Sequence, residues 1–143
     1  MAIFLVAIAV VVAVVLDRRS TAAAPTQPTW TVPGQLDRTD FARPEAPWLV
    51  AVFTSATCGT CQGTWEKAKV LISPDVAVDD IEYTARRAVH DRYGIDAVPT
   101  VVVADAEGVV QASFVGPVTA TDLWAAVAEC REPGSSPEPH LGQ

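Results

Sequence analysis

The sequence predicts an α/β fold with a mixed sheet covered by helices on both faces, and three observations carry that expectation. Trp48-Leu49-Val50-Ala51-Val52-Phe53 is a continuous apolar run, as in a strand buried on both sides. Runs of this kind alternate with segments of helical period. The order from Trp48 onward reads β-α-β-α-β-β-α.

The first strand starts just after Pro47. Cys61, Trp65, Ala68 and Ile72 fall at i, i+4, i+7 and i+11, one face of a helix that Ser73-Pro74 stops. Val76 to about Tyr83 reads as a second strand weakened in its middle by Asp79-Asp80. Thr84 is the expected cap of a short helix running to Tyr93, with Gly94 just past its end. Thr100 to Ala104 is strongly β. Asp105-Ala106-Glu107-Gly108 forms a turn, and Val109 to Val115 returns as the hairpin partner. Thr119-x-x-Asp122 opens a last helix, whose Leu123, Val127 and Cys130 line one stripe. Between Trp30 and Ala46 the pattern is broken, with a short edge strand expected near Val32 or Leu36.

The chain has 143 residues, enough for one folded unit, and half of them are apolar. A net charge of −7 and a pI of about 4.6 leave no basic stripe for phosphates, which excludes nucleic acid as a partner. Residues 30–131 are the expected folded domain. Residues 20–29, rich in Ala, Thr and Pro, read as a linker, and residues 132–143, with three prolines, as a disordered tail.

Residues 1–19 are expected to form a transmembrane anchor. Ala2 to Leu16 are all apolar and Asp17-Arg18-Arg19 ends the run. These fifteen residues are fewer than the roughly 20 that a bilayer core needs, so spanning calls for local thinning and snorkelling arginines. A cleaved signal peptide is the rival reading, with Ala22-Ala23-Ala24 as its cleavage site. The flanks favour the anchor, because no Lys or Arg precedes the run. The expectation is a single-pass protein of the cell membrane. Arg18 and Arg19 favour a cytoplasmic domain by the positive-inside rule, and two charges leave the side open.

The chemistry is expected at Cys58-Gly59-Thr60-Cys61, which follows a buried strand and opens an amphipathic helix. A helix N-terminus favours an anion, so Cys58 would supply the attacking thiolate. Cys61, a turn further on, would be shielded until a mixed disulfide forms and would then resolve it. A zinc site needs four ligands, and the other candidates are Cys130, His90 and His140, so no metal is expected. Cys130 is read as a buried small hydrophobe. Trp48, Trp65 and Trp124 are assigned to packing. His90 is read as a solvated helix residue, beside a solvated Arg86, Arg87 and Asp91 face.

These residues resemble thioredoxin over about residues 48–130. The apolar strand ends in Phe53 shortly before Cys-x-x-Cys. Tyr93-Gly94-Ile95-Asp96-Ala97-Val98-Pro99-Thr100 is similar to the family's Tyr-Gly-Ile…Pro-Thr segment. Gly108 sits in the hairpin turn and Gly116 precedes the last helix. The resemblance implies a thioredoxin-like three-layer fold and thiol–disulfide exchange with protein substrates. It makes Pro99 a cis-proline against the dithiol, with Val98, Pro99 and Thr100 as the substrate site and Val98 offering backbone hydrogen bonds. No cofactor is implied. An upstream electron donor or acceptor is needed, since no reductase domain is present.

The departures are specific. Thr57 stands where the family has Trp, and the central dipeptide is Gly-Thr. Val52 stands at the place of the family's buried aspartate, and the lysine paired with it falls near Asp79 and Asp80. The site is therefore expected to lack an internal base, to resolve through water or the partner, and to turn over small disulfides slowly. The stretch between Cys61 and Pro99 lacks the insertion usual in membrane-anchored relatives of cytochrome maturation. The alternative function is a binding module for a protein or metal, with a redox-silent dithiol.

Overall fold

The computed structural model describes residues 30–135. The expected anchor, the linker and most of the expected tail lie outside them. Among the described residues no helix is long and apolar enough to cross a membrane.

Four strands form one sheet in the order β2-β1-β3-β4: β1 Trp48–Thr54, β2 Val76–Glu82, β3 Thr100–Ala104 and β4 Val110–Val115. Helix α1 (Cys61–Lys69) joins β1 to its parallel neighbour β2. Helix α2 (Arg87–Tyr93) precedes β3, and α3 (Ala120–Arg131) closes the described fold. β3 runs antiparallel to both β1 and β4. The mixed sheet and the element order are those the sequence predicts.

Alternation along the strands divides the core. Val50, Val52, Val76, Val101 and Val103 pack with Ala68 of α1 and with Leu123, Ala126 and Val127 of α3. Leu49, Ala51, Phe53, Ala77, Ile81 and Val102 face the opposite side, with Leu36 and Phe41. Both faces of β1 are covered, which is why its sequence is continuously apolar.

The hairpin turn requires glycine at 108. Its φ is +81°, and a Cβ there would lie 2.0 Å from the carbonyl oxygen of Leu36. The Leu36 amide donates to the Gly108 carbonyl at 2.8 Å, so this turn fastens the N-terminal segment to the sheet. The edge strand expected near Val32 or Leu36 is reduced to a single bridge, Gln35 with Val109.

Other corrections concern element ends and faces. α1 stops at Lys69, before the Val70-Leu71-Ile72 run and Pro74, so Ile72 leaves the helical stripe and is 55% exposed. α2 starts at Arg87 rather than at Thr84. A Glu82 carboxylate oxygen accepts from the Ala85 amide at 2.9 Å and turns residues 83–86 before the helix begins.

His90, expected on a solvated face, is turned inward against β1 and β2. It is 1% exposed, stacks edge-on to Phe53 and Tyr83, and shares a 2.8 Å hydrogen bond between Nε2 and the Ile81 carbonyl. Arg86 is likewise not part of a solvated face. It donates to Asp79 at 2.8 Å and to the Asp40 carbonyl. Arg87 and Asp91 do lie on the solvated face, paired at 3.7 Å. Trp124, expected in the core, is 43% exposed, and its Nε1 donates to the Lys67 carbonyl at 2.9 Å. With Lys67 Nζ donating to the Val118 carbonyl at 2.9 Å, that bond clasps α1 to α3.

Candidate active site

The cysteine pair sits where β1 hands over to α1, at the C-terminal end of the central strand. Ser55 to Cys58 turn back on themselves, the Cys58 amide donating to the Ser55 carbonyl at 3.1 Å. The Ala56 amide donates to Glu82 Oε1 at 3.2 Å, which pins this loop to the end of β2. Three amides, of Ala85, Thr84 and Ala56, hold the Glu82 carboxyl below its ordinary range, the Ala85 bond contributing most.

Cys58 and Cys61 form a disulfide with Cα atoms 5.5 Å apart. The two cysteines are unequally exposed. Cys61 is 3% exposed as the first residue of α1, whereas Cys58 is half-buried in the loop before it. Thr60 caps α1 without a side-chain hydrogen bond, and the first turn holds no acidic residue, so nothing there offsets the positive end of the helix dipole.

A cleft of about 150 Å³ opens beside the disulfide, lined by Thr54, Ser55, Ala56, Cys58, Cys61, Gln62, Trp65, Asp80 and Glu82. Asp80, Glu82 and Thr54 were not singled out in the sequence as site residues. Their signal is the strand period: Val76 and Val78 face α1, so Asp80 and Glu82 continue on that face, as Thr54 does after Val50 and Val52. Asp80 lies opposite Val52 in the register, so a carboxylate stands one strand away from the position that Val52 leaves apolar. Thr54 Oγ1 donates to Asp80 Oδ1 at 2.6 Å.

Val98–Pro99 is a cis peptide, as the resemblance implies. Phe53 pairs with Thr100, which puts Pro99 beside the end of β1 and at the dithiol end of the sheet. Pro99 is buried and its carbonyl accepts from the Gly116 amide at 2.8 Å. Thr100 Oγ1 donates to the Ala97 carbonyl at 2.8 Å. Among the described residues the backbone groups of Val98 have no hydrogen-bond partner. Cys130 is partly buried on α3 against the aliphatic core, and burial pushes its thiol up. Among the described residues no group of three His, Cys, Asp or Glu side chains is placed to hold a metal ion.

A mixed four-stranded sheet, helices on both faces and a cysteine pair at the start of the first helix define a thioredoxin-fold dithiol protein. The thioredoxin family model matches residues 38–129. The chain belongs to the thioredoxin family.

Among solved structures it is similar to a mutant thioredoxin from Halobacterium salinarum, at 27% identity and a TM-score of 0.55, over 68% of this chain and 86% of that one. Oxidised mitochondrial thioredoxin 3 from Saccharomyces cerevisiae is 22% identical with a TM-score of 0.52, over 60% and 81%. A thioredoxin-fold protein from Helicobacter pylori is 14% identical with a TM-score of 0.51, over 66% and 82%. The last two share the fold. No curated protein matches the chain. Fold and cysteine pair together support thiol–disulfide oxidoreductase chemistry in general.

Proposed function

We propose that this protein reduces disulfides in other proteins, with Cys58 as nucleophile, Cys61 as resolving thiol and Val98, Pro99 and Thr100 as the surface that receives the substrate. The unequal exposure of the two cysteines is the observation that carries this reading. A half-buried Cys58 can be reached by a partner's disulfide, while Cys61 at 3% exposure is reachable only from within. The free backbone groups of Val98 suit an extended peptide that hydrogen-bonds through its main chain.

The lining of the cleft supports this direction of electron flow. Its titratable lining besides the cysteines is Asp80 and Glu82, with no basic side chain. Two carboxylates beside a dithiol disfavour thiolate, and destabilising the reduced form lowers the reduction potential. A reductant requires an upstream electron donor. Residues 1–19 would tether it to the cell membrane as a single-pass protein, and Arg18 and Arg19 favour the cytoplasmic side, where a reductant is useful.

Two measurements on the full chain test this. Cys61→Ser should accumulate partner proteins as mixed disulfides through Cys58, and a Cys58→Ser, Cys61→Ser double variant should hold none. No difference between them would favour the redox-silent binding module. Equilibration with glutathione, followed by the fluorescence of Trp65 in the cleft, should give a potential of roughly −270 mV, in the range of thioredoxin itself. A value above about −200 mV would reverse the direction and make the protein an oxidant or isomerase.

A further inference from the structure

We propose that Asp80 accepts the proton of the resolving thiol, so that the site has an internal base supplied by β2 where β1 offers only Val52. The inference rests on the oxidoreductase reading above, and it replaces the expectation that resolution depends on bulk water or the partner.

The arrangement leaves one acceptor. The titratable groups facing the cleft are Cys58 and Cys61 at the start of α1, and Asp80 and Glu82 on β2; Ser55, Ala56, Gln62 and Trp65 bring none. Val52 is wholly buried and apolar and moves no proton. Glu82 is committed elsewhere: Oε1 accepts from the Ala56 amide, Oε2 accepts from the Ala85 amide, and those bonds favour its ionised form. Asp80 differs. Thr54 anchors Oδ1 at 2.6 Å, and among the described residues Oδ2 has no hydrogen-bond partner. Thr54 is itself 5% exposed at the end of the central strand, so its hydroxyl fixes the orientation of the carboxylate. A cleft of about 150 Å³ has room for the water that links Asp80 to Cys61. The rim position of Asp80 matters too, because the proton it receives leaves directly to solvent.

A partner disulfide has been attacked by the Cys58 thiolate, giving a Cys58–partner mixed disulfide and one partner thiolate, which takes up from solvent the proton that Cys58 released on ionising. Cys61 Sγ–H passes its proton through cleft water to Asp80, and the Cys61 sulfur attacks Cys58 Sγ. The Cys58–Cys61 bond forms, the bond to the partner breaks, and the second partner sulfur leaves as thiolate. The partner gains two electrons and the dithiol loses two. Asp80 then releases its proton, which accounts for protonation of the leaving thiolate. Regeneration runs the same path backwards, with protonated Asp80 delivering a proton to Cys61 as the internal disulfide opens.

The test uses the full-length reduced protein in a Cys130→Ala background, mixed with an aromatic disulfide that releases a coloured thiol. The first release reports attack by Cys58 and the second reports resolution by Cys61. With a general base in place, the second phase should change by less than about threefold between about pH 6 and 8. In Asp80→Asn it should rise about tenfold per pH unit, as thiolate alone does, and be slower by about tenfold or more at pH 7. Formate in the buffer should restore the Asp80→Asn rate and leave the unsubstituted protein unaffected. Thr54→Val should slow the second phase partway while keeping its flat profile. Second-phase profiles for Asp80→Asn and the unsubstituted protein that run parallel within about twofold would overturn the proposal. Absence of a first release would overturn the oxidoreductase reading, and this one with it.

Discussion

Asp79 and Asp80 are adjacent in sequence and opposite in circumstance, and they mark how differently the two faces of the sheet are built. Asp79 points toward α2, where Oδ2 accepts from Arg86 at 2.8 Å and from the Ala42 amide at 2.9 Å. Asp80 points toward the dithiol, with one hydrogen bond from Thr54 and the rim of a cleft around it. The α2 face is aromatic and tied down. Phe41 meets Phe53 and Tyr93, His90 lies between Phe53 and Tyr83, and Asp40 accepts from Tyr93 and Arg92. The buried core of the α1 face is aliphatic, with Trp48, Trp65 and Phe114 partly buried against it, and where β1 and β2 end a cleft opens. One face ties the strands down through ring contacts and ion pairs, and the other leaves a cleft at the dithiol end.

The largest effect should come from breaking the α2 face. Phe53→Ala removes the ring that joins Phe41 to His90 and should cost about 3–5 kcal/mol in denaturant unfolding of the reduced protein. A loss below about 1 kcal/mol would mean that this face is not the rigid one. His90→Ala should cost somewhat less, about 2–4 kcal/mol, from the lost packing and the lost hydrogen bond to Ile81. A solvated His90 would instead be replaceable at almost no cost.

The smallest effect sharpens the contrast at the dithiol end. Backbone amides lower the Glu82 pKa from its ordinary 4.5, so ionised Glu82 favours the folded loop. That contribution is present above 4.5 and is lost as pH falls through the lowered folded value. Glu82→Gln should therefore be less stable than the unsubstituted protein at neutral pH, and the gap should close in acid. Amide exchange at Ala56 and Ala85 should speed up in the variant. A gap that stays constant down to strong acid would assign Glu82 no electrostatic part in holding the loop.

Much of this was legible in the residues. The continuous apolar run of β1 requires burial on both faces, and only a strand inside a covered sheet provides it. Gly94 after Tyr93 ends α2 in the left-handed conformation that favours glycine, and Thr119 caps α3 by accepting from the Asp122 amide at 3.1 Å. Cys58 and Cys61 announce themselves by spacing and by their place between strand and helix. Pro99 stands out through its setting in the Tyr93–Thr100 segment.

What the sequence by itself determined is local: which runs extend, which coil, where glycine must stand, and that two thiols lie one helical turn apart. Neighbour identity came from the tertiary structure. Asp79-Asp80 reads as a polar blemish in a strand until the parallel register sets Asp80 beside Val52 and in one cleft with Cys61. His90 reads as a polar helix residue until packing sets it between Phe53 and Tyr83 with its Nε2 against the Ile81 carbonyl. Both depend on contacts across long stretches of chain, from Thr54 to Asp80 and from Phe53 to His90. Local propensity carries no information about such pairs, because the energy that decides them exists only once strands and helices have packed.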